Sequence, residues 1–156
     1  MTVTAAGTGA GADAGTGTTS LSEASPVTAG IRVVRAPAAG DGGHLTAATV
    51  CRIDPAEQIF AGHYPGFPIF PGVCVIECVR RSALATAPGP IALTAVESAR
   101  FRGPVLPGDE LSMELVWKPD GPDDHEGRHW RVTATARTGR GDAASIRLRF
   151  RSGGRP

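Results

Sequence analysis

The sequence predicts an α+β domain in which an antiparallel β-sheet of about six strands wraps one long central helix. Three observations carry that expectation. Short runs rich in Val, Ile, Leu, Thr and Phe recur from residue 30 onward, punctuated by Gly and Pro. The last three runs alternate apolar and polar residues with period two, so each has one side to bury. One segment, 71–89, breaks the pattern with apolar residues on every side of a helix, which the sheet would have to surround.

Taken in order, residues 1–29 are mostly Gly, Thr, Ala and Ser. Almost nothing there is large enough to offset the entropy of ordering the chain, so a disordered N-terminal tail is expected. A single domain over 30–152 should follow, with strands at 31–36, 44–53, 91–101, 110–118, 128–138 and 143–151. Leu111, Met113, Leu115 and Trp117 share one face of the fourth strand. Trp130, Val132, Ala134 and Ala136 share a face of the fifth, and Ile146, Leu148 and Phe150 a face of the last. The turn-rich stretches 119–127 and 139–142 suit hairpin connections. Between the second and third strands, Pro71-Gly72 starts a helix and Pro88-Gly89 stops it. Its first half, Val73, Cys74, Val75, Ile76, Cys78 and Val79, is interrupted only by Glu77.

Composition narrows the function. The 156 residues include 16 basic and 15 acidic ones, giving a formal charge of +1. Such a chain has no broad positive field to hold nucleic acid or an anionic membrane, and neither partner is expected. Three cysteines, Cys51, Cys74 and Cys78, are too few for a disulfide framework, and a closed structural zinc site wants four ligands. No apolar run approaches the roughly 20 residues of a membrane span, and the first thirty residues lack an export signal's basic start. A cytoplasmic location is the expectation.

Chemistry concentrates in FAGHYPGFPIFPGVCVIE, residues 60–77. Pro65, Pro68 and Pro71 fix three φ angles and make this loop a stiff holder for the His63 imidazole. The helix start at Gly72 offers unpaired backbone N–H groups that suit a thioester carbonyl or oxyanion. Glu77 reads in two ways. With Arg80 and Arg81 at i+3 and i+4 it makes a surface ion pair; among Val73, Ile76 and Cys78 it is a desolvated carboxyl with a raised pKa, fit for general-acid work. His63 can equally be a structural histidine.

Together these residues resemble the β-hydroxyacyl-acyl-carrier-protein dehydratases of the FabZ and FabA type. In that family GHFPG-x-P-x-x-PGV leads into a helix bearing Glu or Asp fourteen residues after the His, and His63 and Glu77 have that spacing. ESARFRGPVLPGDEL, residues 97–111, resembles the same family's K-x-RFR-x-PV-x-PGD segment. The resemblance implies the hot-dog fold and a lyase of fatty-acid or polyketide biosynthesis. That enzyme dehydrates a (3R)-hydroxyacyl thioester on an acyl carrier protein to the trans-2-enoyl thioester, with no cofactor.

Carried over to this sequence, the resemblance gives His63 the proton on Cα. Glu77 protonates or orients the departing hydroxyl, and the Gly72 amide polarises the thioester carbonyl. In this family the His and Glu of one site come from different subunits, which implies a homodimer, a heterodimer with a related hot-dog subunit, or a larger assembly. Phe67, Ile69, Phe70 and Val73 become candidates for an acyl tunnel. Tyr64, where the family has Phe, and Arg81, where it has Gln, join them as substrate-contacting positions. A guanidinium at Arg81 would lower the pKa of Glu77 unless it points away, toward a carrier protein or water.

Arg80, Arg100 and Arg102 are candidates for docking the acidic carrier or a coenzyme A phosphate, and their plainer reading is solvated surface. Two rival functions stand beside the dehydratase. One is a hot-dog acyl-thioesterase using Glu77 as base for water; the other is a catalytically weak partner subunit silenced by Arg81. DDHEGRH, residues 123–129, holds metal-capable groups but sits in a Pro/Gly turn without a regular scaffold, so no metal site is expected. Arg140-Gly141-Asp142 reads as a hairpin turn, and Cys74 and Cys78 as small core residues.

Overall fold

The computed structural model describes residues 25–62 and 66–153. The elements run β1 (Arg32–Ala39), β2 (Leu45–Arg52), α1 (Ile59–Gly62), α2 (Gly72–Thr86), β3 (Ile91–Phe101), β4 (Glu110–Pro119), β5 (Arg128–Thr138) and β6 (Gly141–Ser152). The six strands form one sheet in the order β1-β2-β4-β5-β6-β3, with every neighbouring pair antiparallel. The single turn of α1 and a 3-10 turn at Asp41–Gly43 were not expected. Both are too short to carry a periodic signal.

The alternation of the late strands builds the core as expected. Leu111, Met113, Leu115 and Trp117 of β4 are buried, as are Val132, Ala134 and Ala136 of β5 and Ile146, Leu148 and Phe150 of β6. Trp117 meets Trp130 edge-on at 6.0 Å between ring centres and Phe150 at 5.8 Å, a favoured geometry for aromatic packing. Against this face lies α2, which buries Cys74, Val75, Cys78, Val79, Ser82, Ala83 and Thr86. The polar members are satisfied: Thr49 donates to Ser82 at 2.8 Å, and Thr86 bonds back to the Ser82 carbonyl at 2.9 Å.

Within one chain the sheet covers one side of α2 only. Val73, expected among surrounded residues, is 67% exposed and Leu84 is 41% exposed, because a single sheet cannot reach the far face of the helix. The same is true of β3 at the sheet edge. Leu93 and Val96 stand opposite Phe150 and Leu148 in register, on the core side, yet both remain exposed.

Residues 25–29, expected in the tail, are packed. Val27 and Ala29 are buried in the core, and the segment is gripped through its backbone. Glu57 accepts hydrogen bonds from the Thr28 and Ala29 amides, at 3.0 and 2.9 Å, and from the Thr28 hydroxyl at 2.8 Å. Arg81 donates to the carbonyls of Val27 at 3.0 Å and Ala29 at 2.7 Å. Main-chain partners of this kind leave no trace in local composition, which is why the domain begins earlier than Gly30. The expectation for 1–24 lies outside the described residues.

Ion pairs occupy the polar turns. Asp123 pairs with Arg128 at 2.9 Å and Asp124 with His129 at 3.1 Å, so the metal-capable turn is spent on local contacts. Arg140 at the tip of the β5–β6 hairpin grips Asp109 and donates to the Pro104 carbonyl at 3.1 Å. On the outer face, Arg131 and Arg149 each bridge Glu97 and Asp120. Among the described residues no helix is long and apolar enough to cross a membrane.

Candidate active site

The start of α2 is fixed by Pro71, whose carbonyl accepts the amides of Cys74 at 2.9 Å and Val75 at 3.1 Å. The N–H groups ahead of them have no intrahelical acceptor, so the helix opens on donors at Gly72. The incoming loop is tied down by the Phe70 amide, which donates to the Val105 carbonyl at 2.7 Å. The PGD turn beyond is held by paired bonds: Ile53 N to Asp109 O at 2.8 Å, and Gly108 N to Ile53 O at 2.7 Å.

Between these two strips lies a cleft of about 510 Å³ lined by Ile69, Phe70, Gly72, Val75, Phe101, Gly103, Pro104, Val105 and Ala143. Of the residues expected to line an acyl tunnel, Ile69 and Phe70 are there. Phe67 and Val73 are not: they are 65% and 67% exposed and turn outward from the chain. Phe101, which the sequence reading passed over, forms part of the wall instead. Its ring sits so close over Gly72 that a Cβ there would come within 2.7 Å of the ring tip. Its place at the end of an alternating strand was the available signal. His63 and Tyr64 lie outside the described residues.

Glu77 does not share the cleft of its own chain. Val75 lines the cleft, and at 3.6 residues per turn Glu77 lies about 200° further round α2. Its side chain is 14% exposed and accepts three hydrogen bonds from described residues. Arg80 donates from Nε to Oε2 at 2.8 Å and from Nη2 to Oε1 at 3.0 Å, and the Ser25 hydroxyl donates to Oε1 at 2.8 Å. Burial pushes the carboxyl pKa up, but the hydrogen bonds from Arg80 and Ser25 and the charges of Arg80 and Arg81 together bring it below the usual glutamate value. Of the two readings of Glu77, the ion pair with Arg80 is the one found, and the dry carboxyl with a raised pKa, expected from the apolar neighbours, is not. Two of those neighbours, Val73 and Ile76, leave room for solvent or another chain, and donors crowd the carboxylate.

The basic candidates divide. Arg80, expected to dock a carrier, is only 19% exposed in its side chain and is turned onto Glu77. Arg81, expected to touch substrate, Glu77, carrier or water, points instead at the backbone of 27–29, where its Nη1 donates to two carbonyls. Arg100 on β3 and Arg102 just past it are exposed. Ser25 and Glu57 were not foreseen at all.

Several known proteins are similar. Over 66 residues the chain is 47% identical to the 3-hydroxyacyl-[acyl-carrier-protein] dehydratase FabZ of Symbiobacterium thermophilum, covering 38% of this chain and 46% of that protein. The chain spans about half the length of the first curated relatives it matches. Among solved structures, an uncharacterized protein from Erwinia carotovora subsp. atroseptica aligns with a TM-score of 0.58 at 21% identity, covering 78% of this chain and 94% of that one. The dehydratase heterocomplex ApeI:P from Xenorhabdus doucetiae aligns at 0.51 and 24% identity, over 68% of this chain and 87% of that one. These likenesses show the hot-dog fold that the motifs implied. Residues 41–139, more than half of the chain, match the family described as ApeI dehydratase, and the chain belongs to that ApeI-like dehydratase family.

Proposed function

We propose that the protein dehydrates a β-hydroxyacyl group tethered to an acyl carrier protein, releasing water and leaving the trans-2-enoyl thioester. The supporting observation is the division of α2: its N-terminal donors at Gly72 open onto an apolar cleft, while Glu77 faces the other way. Such a carboxylate serves a site on a neighbouring subunit. The catalytic unit is then a pair of hot-dog chains, with His63 from one and Glu77 from the other.

In this reading the neutral His63 imidazole takes the Cα proton, and the C–H electrons pass into the thioester carbonyl as an enolate. Backbone donors at Gly72 stabilise that oxygen, a contribution of roughly 3 kcal/mol where such donors have been removed elsewhere. As the carbonyl re-forms, the Cα–Cβ double bond closes and the Cβ–O bond breaks. Because Glu77 is held as a carboxylate, the proton for the leaving oxygen comes from the His63 imidazolium, and Glu77 accepts a hydrogen bond from that hydroxyl to orient it. The cleft takes the acyl chain, and Arg100 and Arg102 offer exposed charge to an acidic carrier.

The test compares β-hydroxyacyl and saturated acyl thioesters on a carrier protein. Enoyl product without free thiol is expected from the first. Free thiol from the second, without enoyl product, would favour the thioesterase, and turnover that appears only on adding a related subunit would favour the silenced-partner reading. His63→Ala and Glu77→Gln should each lower kcat at least about a hundredfold. Wild-type rates from either variant remove that residue from the reaction.

A further inference from the structure

The packed N-terminal segment begins on the candidate carboxylate. The Ser25 oxygen lies 2.8 Å from Glu77 Oε1 and 3.2 Å from the Val27 amide nitrogen. An amide N–H can only donate, so the Ser25 oxygen accepts from Val27 and its own proton is directed at Glu77. The segment cannot slide. Glu57 holds the amides of 28 and 29 and Arg81 the carbonyls of 27 and 29, and a shift by one residue would turn Val27 and Ala29 out of the core.

A carboxylate has about four acceptor positions. Ser25 and Arg80 Nη2 take the two on Oε1, and Arg80 Nε takes one on Oε2. Among the donors that the described residues supply, none takes the remaining position, on Oε2. We infer that Ser25 is a positioning residue for Glu77, set in place by Glu57 and Arg81, and that it leaves a single Oε2 acceptor for the substrate's β-hydroxyl. The identity of what Oε2 receives rests on the dehydratase reading; how the carboxylate is held does not. This also gives Arg81 a role: it acts on Glu77 through the segment it grips.

Among the described residues the charged groups facing Glu77 are Arg80 and Arg81, both from α2, and the segment contributes the uncharged Ser25 hydroxyl. Removing that donor should raise the carboxyl titration midpoint. The experiment follows the Glu77 carboxyl by ¹³C NMR in full-length protein across acid pH, for wild type, Ser25→Ala and Ser25→Thr. Kinetics are measured in parallel with a β-hydroxyacyl thioester of N-acetylcysteamine. The expected result is an upward move of the midpoint in Ser25→Ala and a return toward wild type in Ser25→Thr. Turnover should fall about tenfold in kcat for Ser25→Ala, the scale of one hydrogen bond to a charged group, with KM little changed. An unmoved Glu77 midpoint in Ser25→Ala overturns the positioning role, whatever the turnover. A midpoint that moves in Ser25→Ala while the wild-type protein turns over nothing overturns the dehydratase reading instead, so the two fail separately.

Discussion

At Gly72 a Cβ would meet the Phe101 ring at 2.7 Å from its tip and 2.9 Å from a neighbouring carbon. The glycine is needed for close approach, since helix geometry itself accepts any L-residue. Phe101 is half exposed and its ring can swing, so the clash is relieved by moving the cleft wall without disturbing the backbone. Gly72→Ala should therefore cost only about 1 kcal/mol of stability, the low end of overpacking, read from the urea midpoint. It should raise KM for acyl thioesters more than it lowers kcat, and shortening the ring with Phe101→Leu in the same chain should recover the stability. At this scale the sequence was informative about identity and poor about direction. Glu77 and Gly72 stood out by motif, and the ion pair of Glu77 with Arg80 was one of its two readings, but the second donor, Ser25, lies fifty-two residues away in sequence. Arg81 could not be aimed without knowing that two carbonyls awaited it.

Among the elements, every strand and the long helix were legible, because period-two alternation and Pro-Gly boundaries are local signals. The segment 25–29 was not, since its order comes from backbone bonds to Glu57 and Arg81 and not from bulk. A second tertiary tie, also silent in the sequence, joins the β5–β6 hairpin to the turn before β4. Asp109 accepts from Arg140 Nη1 at 3.0 Å and from the Leu106 amide at 2.7 Å. The Arg140 hydrogen bond, assisted by the Leu106 amide and the Arg140 charge, holds the Asp109 carboxyl below the usual aspartate value against a smaller push from burial. A carboxylate whose folded pKa lies below its unfolded one, about 3.9, stabilises the fold fully above that value. The contribution is lost as pH falls through the lower folded value. The urea midpoint should thus fall as pH is lowered from the unfolded value through the folded one. Asp109→Asn, already weaker at neutral pH, should drop less over the same range. An equal drop in both would mean that the acid loss comes from other carboxylates, Glu77 among them.

The whole molecule leaves apolar surface where one chain has nothing to put. The sheet has two edges, β1 and β3. β1 carries Pro37 with Arg32 and Arg35, the kind of edge that resists pairing with another strand. β3 is longer, has no proline, and shows Leu93 at 37% and Val96 at 48% exposure on the side that faces the core. Val73 and Leu84 on α2 are uncovered as well. A second hot-dog chain set along β3 would cover that side, and a cleft that it brought to the outward face of α2 would meet Glu77 there. Coverage and catalysis then have one cause, and they should be lost together. Val96→Glu places an unpaired charge in that contact, a penalty of roughly 3 kcal/mol that enters once from each chain of a symmetric pair. Light scattering should show the variant as a monomer with the circular dichroism of the wild type, and dehydration should vanish although His63, Gly72 and Glu77 are untouched. A monomer that still dehydrates at the wild-type rate would mean that each chain completes its own site, and the opposed directions of the cleft and Glu77 would then need another reason.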